Sequence, residues 1–255
     1  MTETPVIPTS VTEQLTTLLC DADGNLFASE EPAFEASAEV TNRFLAELGS
    51  PQRFTAEELR RAATGMNFRS LATRFAAEHG RDDVDVEPWV QEERRAVTAH
   101  LAATLRPHPE TTTALTRFAG SLTLAAVSSS ALTRLAACFT ATGLDDLIPP
   151  ARRFSAEDSL PTPTSKPDPA IYLLACERLG IPPGAGLAVE DSVPGVRSAV
   201  AAGCPTVGNL LFVPADEREE REAALKDAGA LTVVRSWVEL ADLVLPARDL
   251  TGARP

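Results

Sequence analysis

Two aspartates, Asp21 and Asp23, close the apolar run Leu18-Leu19-Cys20 and lead at once into Gly24. Read as a buried parallel strand, the run delivers both carboxylates to its C-terminal end, where open α/β sheets build their sites. Residues at i and i+2 share one face of a strand, and Gly24 marks the point where the backbone turns. Like charges gathered in a buried place repel unless a cation or a shared proton comes between them. The spacing therefore asks for a metal, a proton, or both.

Other polar groups end other apolar runs. Ser128 follows Leu122 to Val127, and Glu190-Asp191 follow Leu187 to Val189. Lys166, one of only two lysines with Lys226, sits in a Pro-, Thr- and Ser-rich loop (Pro161 to Pro169) just before a helix. In a parallel sheet these ends lie along one edge and can converge. Carboxylate oxygens suit a hard cation, Mg²⁺ above all, and suit zinc or copper poorly. A carboxylate-held Mg²⁺ beside an ammonium and a hydroxyl is a site for a phosphoryl group. One aspartate can attack to form an acyl phosphate. The other can protonate the leaving alkoxide and later take a proton from water.

The elements that must position these groups follow from periodicity. Leu15 to Ala22 reads as the first strand, after a polar arm of about 13 residues. From Glu31 to about Leu105 the pattern is helical throughout. Ala36, Val40, Phe44, Leu45 and Leu48 recur at helical spacing, and Thr55 with Glu58 forms a capping box for a helix that Gly65 ends. Phe68 to His79 and Glu87 to Leu105 follow. After Pro107 and Pro109, helices (Thr111 to Phe118, Leu132 to Thr142, Ala170 to Leu179, Pro194 to Ala202, Asp216 to Asp227) alternate with short apolar strands, the last two at Pro205 to Val207 and Leu231 to Val234. Ala247 to Pro255 reads as a loose tail. The expected fold is α/β, a Rossmann-like doubly wound parallel sheet made from residues 1–30 and 107–255, with residues 31–106 inserted as an all-α domain.

DADGNL, the serine after LAAV, SKPDP and VEDSVPGVRSAVAAG, in this order, resemble the four signature motifs of the haloacid dehalogenase-like hydrolase superfamily. The helical insert looks like its α-helical cap, and the β-phosphoglucomutase-like phosphatases are the most similar group, over roughly Leu15 to Leu245. The resemblance implies Asp21 as nucleophile and Mg²⁺ ligand, and Asp23 as acid/base that also binds metal through its carbonyl. It implies Ser128 and Lys166 on the phosphoryl oxygens, Asp191 on Mg²⁺, and Glu190 as a further ligand or a neighbour of the ligands. Amides near Ala22, Asp23 and Ser129 would meet the phosphate, which makes Ser129 a substrate-binding candidate. Asn25 stands where the family often has threonine and retains hydrogen-bonding ability at the substrate side. In the cap, Arg69 is the candidate for a distal group of the substrate, and the cap would close on substrate as a lid. An aspartate at the second position points to phosphoryl chemistry and away from carbon–halogen cleavage. The absence of lysine from the insert excludes a cap Schiff base and disfavours a mutase.

Composition agrees with this expectation. The net charge of −13 over 255 residues argues against nucleic acid or an anionic membrane as partner. Cys20, Cys138, Cys176 and Cys204 lack CxxC spacing and read as buried apolar side chains. The N-terminus lacks the basic and apolar regions of a secretory signal, so the expected compartment is the cytoplasm. His79, His100 and His108 show no convergent spacing, and Trp89, Phe68 and Phe75 read as cap core. The expectation is a monomeric, Mg²⁺-dependent phosphatase that hydrolyses a small phosphometabolite, a sugar phosphate foremost, through an aspartyl phosphate; the alternatives are a β-phosphoglucomutase-like sugar phosphomutase and a non-catalytic phosphometabolite-binding regulatory protein.

Overall fold

The computed structural model describes residues 5–63 and 66–245. Two expectations, Gly65 as a helix stop and Ala247 to Pro255 as a tail, lie outside the described residues. The chain divides into two compact units, one of Met1–Phe27 with Arg106–Pro255 and one of Ala28–Leu105.

In the first unit, helix α1 (Thr9–Gln14) precedes strand β1 (Thr17–Cys20). The polar arm expected there is thus partly helical, with Thr12 and Ile7 buried. The second unit is helical: α2 (Glu30–Glu47), α3 (Ala56–Ala62), α4 (Phe68–Glu78) and α5 (Glu87–Thr104). Thr55 and Glu58 form the expected capping box at α3. The apolar stripe of α2, Phe44 and Leu45 among it, meets Leu59, Leu71 and Phe75, and Phe68 and Trp89 pack against that cluster. The aromatic residues of this unit are its core.

The chain returns through α6 (Pro109–Ala119), β2 (Thr123–Ser128), α7 (Leu132–Thr142), β3 (Arg153–Ser155), α8 (Ala170–Leu179), β4 (Gly186–Glu190), α9 (Val193–Ala201), β5 (Thr206–Asn209), α10 (Arg218–Asp227), β6 (Thr232–Val234) and α11 (Trp237–Val244). The strands form one parallel sheet in the order β3-β2-β1-β4-β5-β6. Chain order reverses at β1, which pairs with β2 on one side and β4 on the other, so the switch point of the sheet falls there. Leu19 aligns with Ala125 and Ala188, and these side chains pack under Ile171, Tyr172 and Ala175 of α8 and Ala199 of α9. α6 lies against β2 and α11.

Two elements of this sheet layer were not expected. β3 has three residues and holds a buried arginine: Arg153 donates to Ile148 O, pairs with Asp145 and stacks 3.9 Å over the Phe139 ring. α11 contributes Trp237, fully buried, whose Nε1 donates to Asn25 O at 3.0 Å and ties the C-terminal helix to the turn after β1. Among the described residues no helix is long and apolar enough to cross a membrane. Trp237→Phe leaves the Asn25 carbonyl without this donor and removes buried volume. It should cost about 1–3 kcal/mol of stability, read as a lower urea midpoint with unchanged slope.

Candidate active site

The first carboxylate is delivered by the β1–β4 ladder, which runs one residue past β1: the Asp21 amide donates to Val189 O at 2.9 Å. The backbone then folds tightly, with Leu26 and Phe27 amides donating to Ala22 O. Gly24 makes the turn at φ +74°, and a Cβ there would lie 2.4 Å from Asp191 Oδ2. Only glycine suits both the backbone and the approach of that carboxylate. On the β4 side, Ser192 Oγ caps α9 by accepting from the Gly195 amide. A Cβ on Gly195 would stand 1.7 Å from Glu190 Oε2, so this glycine makes the space that Glu190 fills.

Lys166 binds the two strand ends together. Its Nζ donates to Asp21 Oδ1 at 2.5 Å, Glu190 Oε1 at 2.6 Å and Val127 O at 2.7 Å. An ammonium has three donors, so all of them rest on protein acceptors. The loop that brings it there is well tied: the Lys166 amide donates to Ser129 Oγ, and the Thr164 amide to Ala156 O. Tyr172 Oη, buried on α8, donates to the same Glu190 Oε1 at 2.5 Å. One oxygen of Glu190 thus receives two donors.

The electrostatics are those of crowded negative charge. Burial raises Asp21 well above the usual carboxylate range; Lys166 opposes the rise, while Glu190 and Asp191 add to it. Burial, then Glu190, pushes Asp191 up to about 7 against the pull of Lys166 and Arg221. For Lys166, burial opposes the charged form, but Asp21 and Glu190 outweigh it and hold the ammonium protonated. Burial, then Glu190 and Asp21, raises the Tyr172 phenol, which stays a donor.

Oxygens of Asp21, Glu190 and Asp191 lie within 4.8 Å of one another. When all three are ionised, the carboxylates outnumber the one ammonium that bridges them and leave an excess of negative charge in a buried place. That donor set and that excess fit a hard dication.

The remaining candidates divide. Asp23 is not in the triad; its carboxylate takes Ser130 Oγ on Oδ2 at 2.7 Å and Arg134 Nη2 on Oδ1 at 2.8 Å. Ser128 is brought to the same edge, buried, with Oγ accepting the Ser130 amide at 3.0 Å. The Ser129 hydroxyl holds the Lys166 loop. Asn25 corrects the expectation that it serves substrate: it is fully buried, donates to Asp21 O and Val189 O, and accepts from Asn209 Nδ2. With its amide spent on backbone, Asn25 pins the strand end that carries Asp21. Arg69 belongs to the helical unit, where it is paired with Glu87. His79, His100 and His108 meet, in turn, Phe75 O, Glu35 and the Thr111 amide.

Ser130, Arg134 and Tyr172 were missed. Tyr172, the only tyrosine, lies within the helical stretch Ala170 to Leu179, and its hydroxyl carries no local signal. Arg134 had one: it stands in the first turn of α7, where the helix dipole disfavours a cation.

With this geometry in hand, the model of the haloacid dehalogenase-like hydrolases matches residues 15–203. The chain belongs to that family. Among its relatives, Protein CbbY of Cereibacter sphaeroides is 28% identical over 246 residues, 92% of this chain and 97% of that one. A phosphorylated carbohydrates phosphatase of Thermotoga maritima is 39% identical over 70 residues, 28% of this chain and 30% of that one. The chain spans only about a fifth of the length of the first curated relatives it matches. A crystal structure of a haloacid dehalogenase-family hydrolase from Deinococcus radiodurans, with bound phosphate and sodium, superposes with TM-score 0.67 at 27% identity, covering 92% of this chain and 97% of that one.

Gly195→Ala should be among the most damaging small substitutions in this site, because the new methyl collides with a buried carboxylate. A loss of about 3 kcal/mol or more is expected in chemical denaturation. Gly184→Ala, where a Cβ meets nothing within 4 Å, should change stability little.

Proposed function

We propose that this chain is a Mg²⁺-dependent phosphatase of small phosphate esters, sugar phosphates foremost, working through an aspartyl phosphate on Asp21. The observation that carries the reading is the Lys166 bridge between Asp21 and Glu190 inside the acidic triad, with Asp23 two residues from Asp21 at the same strand end. The Thermotoga maritima relative, named for phosphorylated carbohydrates, supports the substrate class, and the phosphate bound by the Deinococcus radiodurans neighbour supports the group recognised.

In this reading an Asp21 carboxylate oxygen attacks phosphorus, and the bond from phosphorus to the ester oxygen breaks. Asp23 gives its proton to the leaving alkoxide. Water then attacks phosphorus, Asp23 takes a proton from it, and inorganic phosphate leaves with Asp21 restored. Lys166 steadies Asp21; to hold a phosphoryl oxygen as well, its ammonium exchanges one of its three present acceptors for the substrate. Ser128 and the amides near Ala22, Asp23 and Ser129 complete the phosphate cradle. Asp21 and Asp191, with Glu190 beside them and the Asp23 carbonyl, would hold Mg²⁺. When bound, Mg²⁺ supplies positive charge against the carboxylates and the phosphoryl oxygens.

The decisive experiment is release of phosphate from a panel of phosphorylated metabolites and a generic aryl phosphate with Mg²⁺ present. Turnover is expected, and Asp21→Asn should lower kcat at least about a thousandfold. No turnover on any ester, or full activity in Asp21→Asn, would sink the reading.

The metal has a test in stability alone. Asp191, raised from 3.8 to about 7, contributes stability that is complete below 3.8 and is lost as pH rises through about 7. A dication bound to the ionised triad offsets that loss. Millimolar Mg²⁺ should therefore raise Tm by several degrees at about pH 8 and by much less at about pH 5.5. A rise that ignores pH, or none, would count against the triad as the metal site.

A further inference from the structure

We propose that Arg134, together with Ser130, is a positioning residue that aims Asp23. The inference rests on the acid/base role given to Asp23 above. Arg134 Nη2 and Ser130 Oγ reach different oxygens of the Asp23 carboxylate, at 2.8 and 2.7 Å. One donor on each oxygen fixes the rotation of the carboxylate as well as its place. Both donors come from the stretch after β2, whereas Asp23 follows β1, so the contact spans two neighbouring strand ends.

The same stretch serves the other side of the site. Ser128 Oγ accepts the Ser130 amide, and Ser129 Oγ accepts the Lys166 amide. Three consecutive serines thus set the aim of Asp23 and the approach of Lys166 relative to one another. A cation in the first turn of α7 works against the helix dipole. The Asp23 carboxylate across the strand edge offsets that.

The side chains of Arg134 and Asp23 are 26% and 25% exposed, so the pair is partly buried and only partly screened by solvent. Its effect is on geometry. A proton carrier has to come within hydrogen-bond reach of the leaving oxygen, and a displacement of about 1 Å costs on the order of a hundredfold in rate.

The experiment compares kcat/KM, which reports the steps up to loss of the leaving group, on an alkyl phosphate, whose leaving group needs a proton, and on an aryl phosphate that leaves unaided. Wild type, Arg134→Met, Arg134→Lys and Ser130→Ala are assayed with Mg²⁺. Arg134→Met should lose about thirtyfold in kcat/KM on the alkyl ester and less than about threefold in kcat/KM on the aryl ester. Arg134→Lys should recover part of the alkyl rate, and Ser130→Ala should shift the ratio in the same direction by less. Equal losses on the two esters would overturn the assignment. If Arg134→Met does not fold, Arg134→Lys and Ser130→Ala make the same comparison. A wild type inactive on both esters removes the phosphatase reading and this inference with it. An active wild type with a flat ester ratio in the variants removes only the role of Arg134.

Discussion

Mutual repulsion among buried carboxylates is the constraint around which the sheet edge is built. Asp21, Glu190 and Asp191 come from two adjacent strands, and the register that aligns Cys20 with Val189 places them side by side. Lys166 relieves part of the repulsion by touching two of them at once. Burial first, and then the neighbouring carboxylates, still hold Asp21 and Asp191 above the usual carboxylate range. A fold selected for stability alone would not gather three carboxylates at a buried switch point, because such groups destabilise unless paired. The arrangement fits a cationic guest, a retained proton, or both.

Around that cluster the neutral polar residues do mechanical work. Asn25 stitches the carbonyls of Asp21 and Val189, Asn209 holds Asn25, and Trp237 holds the Asn25 backbone from the far helix. Buried carbonyls left without donors would cost about 1–3 kcal/mol each. The chain therefore spends two asparagines and an indole on fixing one strand end. Gly24 and Gly195 do the complementary task of leaving room, one against Asp191 and one against Glu190. Rigid supports of this kind let charged groups stand close together without collapsing or drifting apart.

Much of the sheet was legible because period and punctuation agreed. α7 and α8 end at Gly143 and Gly180, both left-handed, and their bounds match the periodic pattern. β3 was not legible: three residues at an edge, one of them arginine, carry neither alternation nor an apolar run. Its identity depends on Arg153 finding Asp145 and the Phe139 ring, which are partners remote from any local pattern. α1 and α11 were hidden for other reasons. The first is a six-residue polar helix, and the second is an apolar segment at the end of the chain, where no following element announced it.

The candidate site was legible where charge type alone decided the matter and illegible where geometry did. Strand-end carboxylates and a rare lysine betray themselves by position, since burying them is costly and only a site justifies it. Asn25, Ser129 and Asp23 did not, because a polar side chain has several acceptors and donors within reach and sequence does not say which it takes. Asn25 turned inward to backbone, and Ser129 turned to the Lys166 amide. Asp23 turned to Ser130 and Arg134, although by type it matched the metal-side carboxylates. The difference lies just past β1: the ladder ends at Asp21 and the backbone folds back on the Ala22 carbonyl, so the i, i+2 rule that would set Asp23 beside Asp21 no longer applies. The turn on Ala22, which Gly24 completes while making room for Asp191, thus separates the two aspartates into different company.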